Sequence, residues 1–315
     1  MHTPLFSVLI ANYNNGQYLM NAINSVRRQT YTNWEIIIVD DCSTDNSNLV
    51  YNELVNDDRI RIYYNDTNKG VGYTKNRAAD LAKGEIAGIL DPDDTLEPQA
   101  LEWEVNIHQK HPEVSIVYSK VKFCDTKFNV LREGYLPKFR SDETYFEHRN
   151  HGAMNFASFK MSYYRQTDGI GVDLRAGDDQ DLYFKMEEVG KCYCLDKFTY
   201  NYVIKGNGSS LTAFSNYANQ WYGDLKARYR TCLRRGINPD EIIPIDFQEI
   251  LDQYAVQVFE QKYDDIINEI VNGKIKQLLW AQQKQIRSSL TYRVGALILY
   301  PIKKIMLWLK KMDDR

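Results

Sequence analysis

The sequence has 315 residues, 43% of them hydrophobic, with only 17 glycines and 8 prolines. This composition excludes disordered and collagen-like chains and predicts a globular protein with a full hydrophobic core. The net charge of -3 is unevenly distributed, because residues 270–312 hold nine Lys or Arg and no Asp or Glu. The remaining body is acidic, which argues against a nucleic-acid partner, since phosphate neutralisation needs a cationic face.

Cysteine usage and the N-terminus indicate a compartment. The five cysteines, at positions 42, 124, 192, 194 and 232, show no CxxC or paired spacing. We therefore expect reduced thiols, with neither a zinc site nor a disulfide framework. Met1–Pro4 leads directly into a predicted strand, without the basic and apolar regions of a signal peptide. These features predict a cytoplasmic protein.

Strands and helices alternate through the first third of the chain. Apolar runs predict buried strands at Phe6–Ala11, Glu35–Val39, Arg59–Tyr64, Glu85–Leu90 and Val114–Tyr118. Amphipathic periodicity predicts helices at Tyr18–Gln29, Asn48–Asn56, Gly72–Ala82 and Gln99–Lys110. Such alternation is typical of an α/β fold with a mainly parallel sheet and helices on both faces. Beyond about Tyr202 the pattern predicts long helices at Thr212–Arg235, Phe247–Val271 and Ile275–Ser288.

Carboxylates follow two of the predicted strands directly. Asp40 and Asp41 end the second strand, and Asp91, Asp93 and Asp94 follow the fourth. Open α/β sheets bind ligands at the carboxyl ends of their strands, and carboxylate oxygens suit Mg²⁺ or Mn²⁺ bridging to a diphosphate. The alternative is helix capping, by Asp94 or Thr95 before the fourth helix and by Ser43 or Asp45 before the second.

Basic residues surround the glycine turn before the third helix. Gly70 and Gly72 resemble part of a dinucleotide-binding fingerprint, but Lys75 stands at the third glycine position. We therefore set a nicotinamide or flavin site aside. Lys69, Lys75 and Arg77 are instead predicted to counter the charge of a diphosphate.

A third acidic group opens a predicted helix. Asp178, Asp179 and Asp181 follow Gly177. Stabilisation of the helix dipole explains one or two acids in a first turn, and three exceed that need. A catalytic carboxylate is therefore expected here.

Taken together, these segments resemble the inverting family 2 glycosyltransferases of GT-A fold. The matching stretches lie in family order over about the first 205 residues, at Ser7–Asn14, Ile38–Asp45, Asn68–Gly70, Asn76–Ala78, Ala82–Glu85, Leu90–Asp94 and Gly177–Leu182. The resemblance implies transfer of a sugar from a nucleotide-sugar donor, UDP by family frequency, to an acceptor hydroxyl. Two alternatives are a sugar-phosphate nucleotidyltransferase and a non-catalytic scaffold. A nucleotidyltransferase would carry a Gly-rich basic loop after the first strand, and this chain has none there. A scaffold could lose the catalytic and metal-binding acids, and here all of them are present.

The resemblance also implies roles for individual residues. Asp179 would be the general base, Asp93 would bind Mn²⁺ or Mg²⁺, and Asp91 would lie on the ribose or metal side. The implied donor-binding residues are Asn12, Asp40, Asp41 at the nucleobase, Arg77, Asp91 and Lys205. Two departures stand out: Asp178 replaces the family's Glu before the base, and Val203 and Lys205 replace an Arg and a His near the diphosphate. Since a charged lysine cannot ligate a metal, Lys205 makes the strength of metal dependence an open question.

The C-terminal part predicts an extension and a membrane-surface tail. We divide the chain into a transferase domain at 1–205, a helical extension at 206–290 and a basic amphipathic tail at 291–315. The apolar run Val294–Ile302 is about half the length that spans a bilayer. Lysine pairs beside it favour a helix lying on an anionic membrane, on its inner face, over a helix packed on protein. The expected function is surface polysaccharide or glycolipid synthesis on a saccharide or lipid-linked acceptor.

The residues between Val121 and Asp178 would contribute to the acceptor site. Their aromatic side chains would either stack on sugar rings or belong to the core, at Tyr145, Phe146, Phe156, Tyr163 and Tyr164.

Overall fold

A computed structural model describes residues 2–134, 144–146, 156–174, 176–205 and 217–238. The chain divides into two compact units, Met1–Pro244 and Ile245–Arg315. The described residues all belong to the first. The predicted helices Phe247–Val271 and Ile275–Ser288 and the tail at 291–315 lie outside them.

The first half of the unit is a regular β-α repeat. Its elements are β1 (Phe6–Asn12), α1 (Gly16–Arg27), β2 (Trp34–Asp40), α2 (Ser47–Leu54), β3 (Ile60–Tyr64), α3 (Val71–Leu81) and β4 (Ile86–Ile89). The four strands are parallel, with β1 between β2 and β4 and with β3 outside β2. The predicted parallel sheet is therefore confirmed for these strands, with boundaries within a few residues.

The second half makes the sheet mixed. Its elements are β5 (Thr95–Leu96), α4 (Ala100–Lys110), β6 (Val114–Cys124), β7 (Val130–Glu133), β8 (Ser158–Lys160), α5 (Met161–Tyr164), α6 (Asp178–Val189), β9 (Lys191–Val203) and α7 (Tyr217–Arg235). The strand order is β3-β2-β1-β4-β8-β6-β9-β5, and β7 pairs with β6. Strand β8 is antiparallel to both β4 and β6, whereas β9 runs parallel to β6. Strands β5, β7, β8 and β9 were not predicted from the sequence.

Apolar side chains pack on both faces of the sheet. Helix α1 buries Leu19, Ile23 and Val26, whose spacing places them on one side of a helix. Leu9 and Ile37 point to one core cluster and Ile10 and Ile38 to the other. This alternation follows from the two-residue period of a strand. Truncating one such buried Leu or Ile to Ala is expected to cost about 2–5 kcal/mol.

The aromatic residues at 145–164 belong to the core. Tyr145, Phe146, Phe156 and Tyr164 are all buried. Phe156 lies in one core cluster and the other three in the second, against which the half-buried Tyr163 also packs. These rings were expected either to stack on sugar rings or to belong to the core, and the four buried ones belong to the core. They are not exposed to an acceptor sugar.

Helix α7 packs closely on the start of α6. Gly177 has a positive φ of 71°, and a side chain at Gly223 would overlap the Ala176 carbonyl oxygen. Arg234 and Arg235 then pair with Glu188 at 2.9 and 3.2 Å. Helix α6 is thereby fixed at both ends, which positions the acids of its first turn.

Candidate active site

The acidic strand end after β4 and the first turn of α6 meet at a lysine. The Nζ atom of Lys75, on α3, lies 2.9 Å from Asp178 Oδ2 and 3.6 Å from Asp91 Oδ1. These residues are distant in sequence, so the fold alone brings them together. With Asp93 and Lys205, described next, they form a set of five side chains that we call the charged cluster.

Asp93 has its own lysine partner. Lys205 follows β9, and its Nζ lies 2.7 Å from Asp93 Oδ2 and donates a hydrogen bond of 2.9 Å to Asn15 Oδ1. The same ammonium group lies 4.5 Å from the centroid of the Tyr18 ring, within cation–π range. The Lys205 side chain is only 7% exposed. Lys205 thus connects the loop after β4 to the start of α1.

Charge within this cluster shifts several pKa values. Burial opposes ionisation of Lys75, but the carboxylates of Asp178, Asp91 and Asp179 raise its pKa above the usual lysine value, so it stays protonated. Removal from water raises the pKa of Asp91, and the charges of Asp93 and Asp178 add to this rise while Lys75 opposes it. The cluster therefore balances closely spaced carboxylates with two ammonium groups.

Asp94 anchors the loop and does not cap a helix. It is buried and accepts hydrogen bonds of 2.7 Å from the Tyr200 hydroxyl and from the Val203 N–H. The Tyr200 hydroxyl also accepts the Asp91 N–H at 3.3 Å. Helix α4 begins only at Ala100, after Gln99, which makes no side-chain cap. The capping alternative for Asp94 is therefore wrong, because β9 holds its carboxylate.

Asp179 is the acid of α6 best suited to accept a proton. It is half-buried, and its Oδ1 accepts the Gln180 N–H at 2.9 Å. Removal from water and the neighbouring Asp178 carboxylate raise its pKa to about 6, against the opposing charge of Lys75. A carboxylate with such a pKa is ionised at neutral pH and is still a useful base.

Asp181 has a structural role instead. It is fully buried, 2.6 Å from Lys185 Nζ and 3.8 Å from Arg234 Nη1. Asp178 is also buried and is paired with Lys75. The three acids that the sequence groups together are therefore in three different environments.

On the β1–β2 side, Asp41 organises the loop before α3. Its oxygens accept hydrogen bonds of 2.7 Å from Asn65 Nδ2 and 2.8 Å from the backbone N–H groups of Lys69 and Gly70. Three of about four lone-pair positions of the carboxylate are thus used. Asp41 keeps limited capacity for a ligand donor and fixes the shape of the loop around it.

Asn12 and Asp40 form a buried hydrogen-bonded cluster with α2. Asp40 accepts bonds from the Tyr51 hydroxyl, from Asn12 Nδ2 at 3.2 Å and from the Ser43 N–H at 2.7 Å. Asn12 Nδ2 also lies 2.9 Å from Ser47 Oγ. Nearby, Asp45 accepts the Ser47 N–H at 3.0 Å at the start of α2, while the N-cap residue is Asn46, whose side chain makes no cap. Asn12 and Asp40 therefore hold β1, β2 and α2 together.

Arg77 lies apart from the charged cluster. Its guanidinium donates to the Tyr64 carbonyl at 2.7 Å and to Asn65 Oδ1. Lys75, two residues earlier, reaches the carboxylates instead. Helical spacing in the sequence indicates the choice of Lys75, because Lys75 shares the buried face of α3 with Ala78 and Ala79, three and four residues later.

Asp91 and Asp93 are the two carboxylates that would hold a metal ion. Within the described ranges, no three His, Cys, Asp or Glu side chains are grouped as a metal site. Mg²⁺ commonly takes only one or two carboxylates and completes its shell with substrate phosphates and water. Asp91 and Asp93 fit that arrangement, although Lys205 occupies Asp93 in this structure.

Acids and lysines meet at the carboxyl end of the parallel strand β4, the edge at which open α/β sheets bind their ligands. The model of Glycosyl transferase family 2 matches residues 7–168. This chain belongs to that family, which confirms the enzyme class and the family expected from the sequence.

Relatives and solved structures agree with this membership. The chain is 32% identical to a chondroitin synthase from Escherichia coli over 66% of its own length and 30% of the relative. It is 29% identical to a hyaluronan synthase from Pasteurella multocida over 87% of its length and 28% of the relative. It thus spans about a third of these relatives. The structure of S. aureus TarS in complex with UDP matches with a TM-score of 0.60 at 18% identity, covering 95% of this chain and 87% of that one. This likeness confirms the GT-A fold.

Among the described residues, no helix combines the length and the apolar character needed to cross a bilayer.

Proposed function

We propose that this protein transfers a sugar from a UDP-sugar to an acceptor hydroxyl with inversion at the anomeric carbon. One observation carries the proposal: Asp179, with a pKa raised to about 6, lies on the same helical turn as Asp178, which shares Lys75 with Asp91. A base is thereby held beside a group of charges suited to a diphosphate. Two solved structures of TarS hold UDP and UDP-GlcNAc, which favours a UDP-sugar donor here.

The donor would lie across the carboxyl ends of β1, β2 and β4. Asp41 would accept a hydrogen bond from the nucleobase, whose imide N–H is a donor. Asn12, Asp40 and Arg77 would act indirectly, since each is bonded to the protein around Asp41 or α2. Lys75 and Lys205 would face the diphosphate and stabilise the charge that builds up as it leaves.

A divalent ion would bind at Asp93, with Asp91 as its second carboxylate. When bound, it would neutralise the leaving diphosphate as a Lewis acid. Mg²⁺ and Mn²⁺ are the ions that such an oxygen set suits.

Asp179 would take the proton of the acceptor hydroxyl. As the proton moves to the carboxylate, the hydroxyl oxygen forms a bond to the anomeric carbon. The bond from that carbon to the diphosphate oxygen breaks, and its electron pair leaves with UDP. Because attack and departure occur on opposite faces, a single displacement inverts the configuration. The raised pKa makes Asp179 a stronger base than an ordinary aspartate.

The acceptor is proposed to be a saccharide or lipid-linked saccharide in surface polysaccharide or glycolipid synthesis. The chondroitin and hyaluronan synthases among the relatives support a polysaccharide product. The basic, apolar tail at 291–315 supports location at an anionic membrane surface on the cytoplasmic side.

Vesicle co-sedimentation tests the membrane part of the proposal. The full chain should bind anionic vesicles, more weakly at high salt. A chain ending at Thr291 should stay soluble and remain in the supernatant. A full chain that never sediments with these vesicles contradicts the membrane location and leaves the sugar transfer untouched.

Nucleotide release tests the transferase function. The purified protein should release UDP from one member of a panel of UDP-sugars, faster with a saccharide acceptor than with water. Release of pyrophosphate in the presence of a nucleoside triphosphate and a sugar phosphate would instead identify a nucleotidyltransferase. If neither product is released and the protein still binds UDP, it is a nucleotide-binding protein without transferase activity.

A further inference from the structure

Lys205 and Asp93 form a nearly buried ion pair at the place proposed for a metal. The Nζ to Oδ2 distance is 2.7 Å, and the side chains are 7% and 21% exposed. Lys205 is held further by Asn15 Oδ1 at 2.9 Å and by the Tyr18 ring. The ammonium group therefore occupies the carboxylate that a divalent ion would need.

The lysines already paired with these carboxylates oppose the binding of a metal ion alone. Asp93 is neutralised by Lys205, and Asp91 shares Lys75 with Asp178. A divalent ion at Asp93 would lie against the nearly buried ammonium group of Lys205, and like charges at such short range repel. A diphosphate changes the balance, because its oxygens can accept hydrogen bonds from Lys205 and ligate the ion.

We propose that Lys205 is an internal counter-ion that makes metal binding at Asp93 conditional on a diphosphate. Without nucleotide, Lys205 holds Asp93 and excludes the ion. When a diphosphate binds, Lys205 moves its hydrogen bonds to phosphate oxygens, and the freed Asp93 carboxylate ligates the metal. The four-carbon stem of lysine permits such a short transfer. This inference rests on the proposed function only in requiring that the charged cluster bind a diphosphate.

The proposal has a reciprocal thermodynamic consequence. If diphosphate raises metal affinity by releasing Asp93, metal raises diphosphate affinity by the same factor. Removing the Lys205 charge should weaken this coupling, because Asp93 is then open to the ion at all times and only direct ligation of the ion by phosphate couples the two ligands. Lys205 is thus a positioning residue for the metal and need not touch it.

Binding of Mn²⁺ without nucleotide gives a test that needs no sugar donor or acceptor. Free Mn²⁺ is counted by electron paramagnetic resonance as protein is added, for the parent and for Lys205→Met, which keeps the length of the stem. The variant should bind Mn²⁺ at least about tenfold more tightly than the parent. The gain should disappear in Lys205→Met combined with Asp93→Asn, which shows that it acts through Asp93.

Two further variants separate charge from packing. Lys205→Arg keeps a cation and should retain the weak Mn²⁺ affinity of the parent. Lys122→Met is the matched control, since Lys122 is an ion-paired lysine of β6, 3.0 Å from Glu97, outside the cluster. It should leave Mn²⁺ affinity unchanged. If Lys205→Met does not fold, as judged by circular dichroism, Lys205→Gln takes its place.

Calorimetry with UDP completes the test. UDP in the presence of EDTA should bind about tenfold more weakly to Lys205→Met than to the parent, because one phosphate contact is lost. If the parent binds UDP and Lys205→Met leaves the affinity for Mn²⁺ unchanged, the counter-ion role is overturned and the proposed function still stands. A parent that binds no UDP, with or without Mn²⁺, overturns both.

Discussion

The two acidic strand ends of this sheet satisfy their carboxylates in different ways. After β2, Asp40 and Asp41 accept hydrogen bonds from neutral groups: amides, hydroxyls and backbone N–H. After β4, Asp91 and Asp93 are paired with lysines. Hydrogen bonds from the backbone move only with the chain, whereas a lysine can exchange one oxygen partner for another. The first end is therefore built to be rigid, and the second to exchange its partners when a ligand arrives.

Substitution of the proposed base should have the largest effect. Asp179→Asn keeps the shape of the side chain but cannot accept a proton, so transfer should fall by about a hundredfold or more. UDP affinity should stay within about twofold. Asp196→Asn, at an exposed ion pair on β9, is the control and should leave transfer unchanged. Full transfer by Asp179→Asn would place the base elsewhere.

The pH dependence of transfer should follow Asp179. Its carboxylate must be ionised to act as a base, and its pKa is raised to about 6. The rate should therefore rise with pH through about 6 and level off above 7, by roughly tenfold between pH 5 and pH 7. Steady-state rates across this range measure it. A rate that is already constant from pH 4.5 upward would mean that no group with a raised pKa is needed.

Asp93→Asn should weaken metal-dependent UDP binding, which is expected at the strand end after β4 and not at the end after β2. The neutral amide no longer offers the charge that a hard cation requires, so UDP affinity in the presence of Mn²⁺ should fall about tenfold. In EDTA the variant and the parent should differ little. Equal affinity of both proteins for UDP with Mn²⁺, by calorimetry, would remove Asp93 from the metal site.

Tyr51→Phe should affect stability and leave binding intact. It removes the hydroxyl that donates to Asp40 inside the hydrogen-bonded cluster, at an expected cost of about 1 kcal/mol in the free energy of unfolding. Denaturant unfolding measures the loss, and UDP affinity should be unchanged. A loss of UDP affinity at unaltered stability would contradict the indirect role of Asp40 and show that Tyr51 or Asp40 contacts the ligand.

Most of the β-α repeat was predictable because strands β1, β2 and β4 are largely buried. Strand β2 is buried at every position, and its sequence holds the apolar run Ile36–Val39 between two acids. Strand β9 is 13 residues long, mostly half-exposed, and shifts register against β6, so its sequence shows neither a continuous run nor a clean alternation. Strand β8 has three residues, too few for any period.

The site was predictable in its acids and less so in its lysines. Acidic residues at strand ends are visible in sequence because the strands themselves are. The choice between Lys75 and Arg77 depends on which face of α3 packs on the sheet, since residues two apart on a helix point in nearly opposite directions. The pairing of Asp93 with Lys205 depends on where β9 ends relative to the loop after β4, since the two residues are 112 positions apart in sequence. Only the tertiary fold supplies that information.

The central claim is that the charged cluster binds a diphosphate, and comparing UDP with uridine tests it most directly. Calorimetry without metal should give a Kd for UDP at least about tenfold lower than for uridine. Lys75→Met, with Lys75→Arg as the charge-preserving control, should remove most of that difference, because the lysine lies between Asp91 and Asp178 where phosphate would bind. Equal affinities of the parent protein for UDP and uridine would contradict the account.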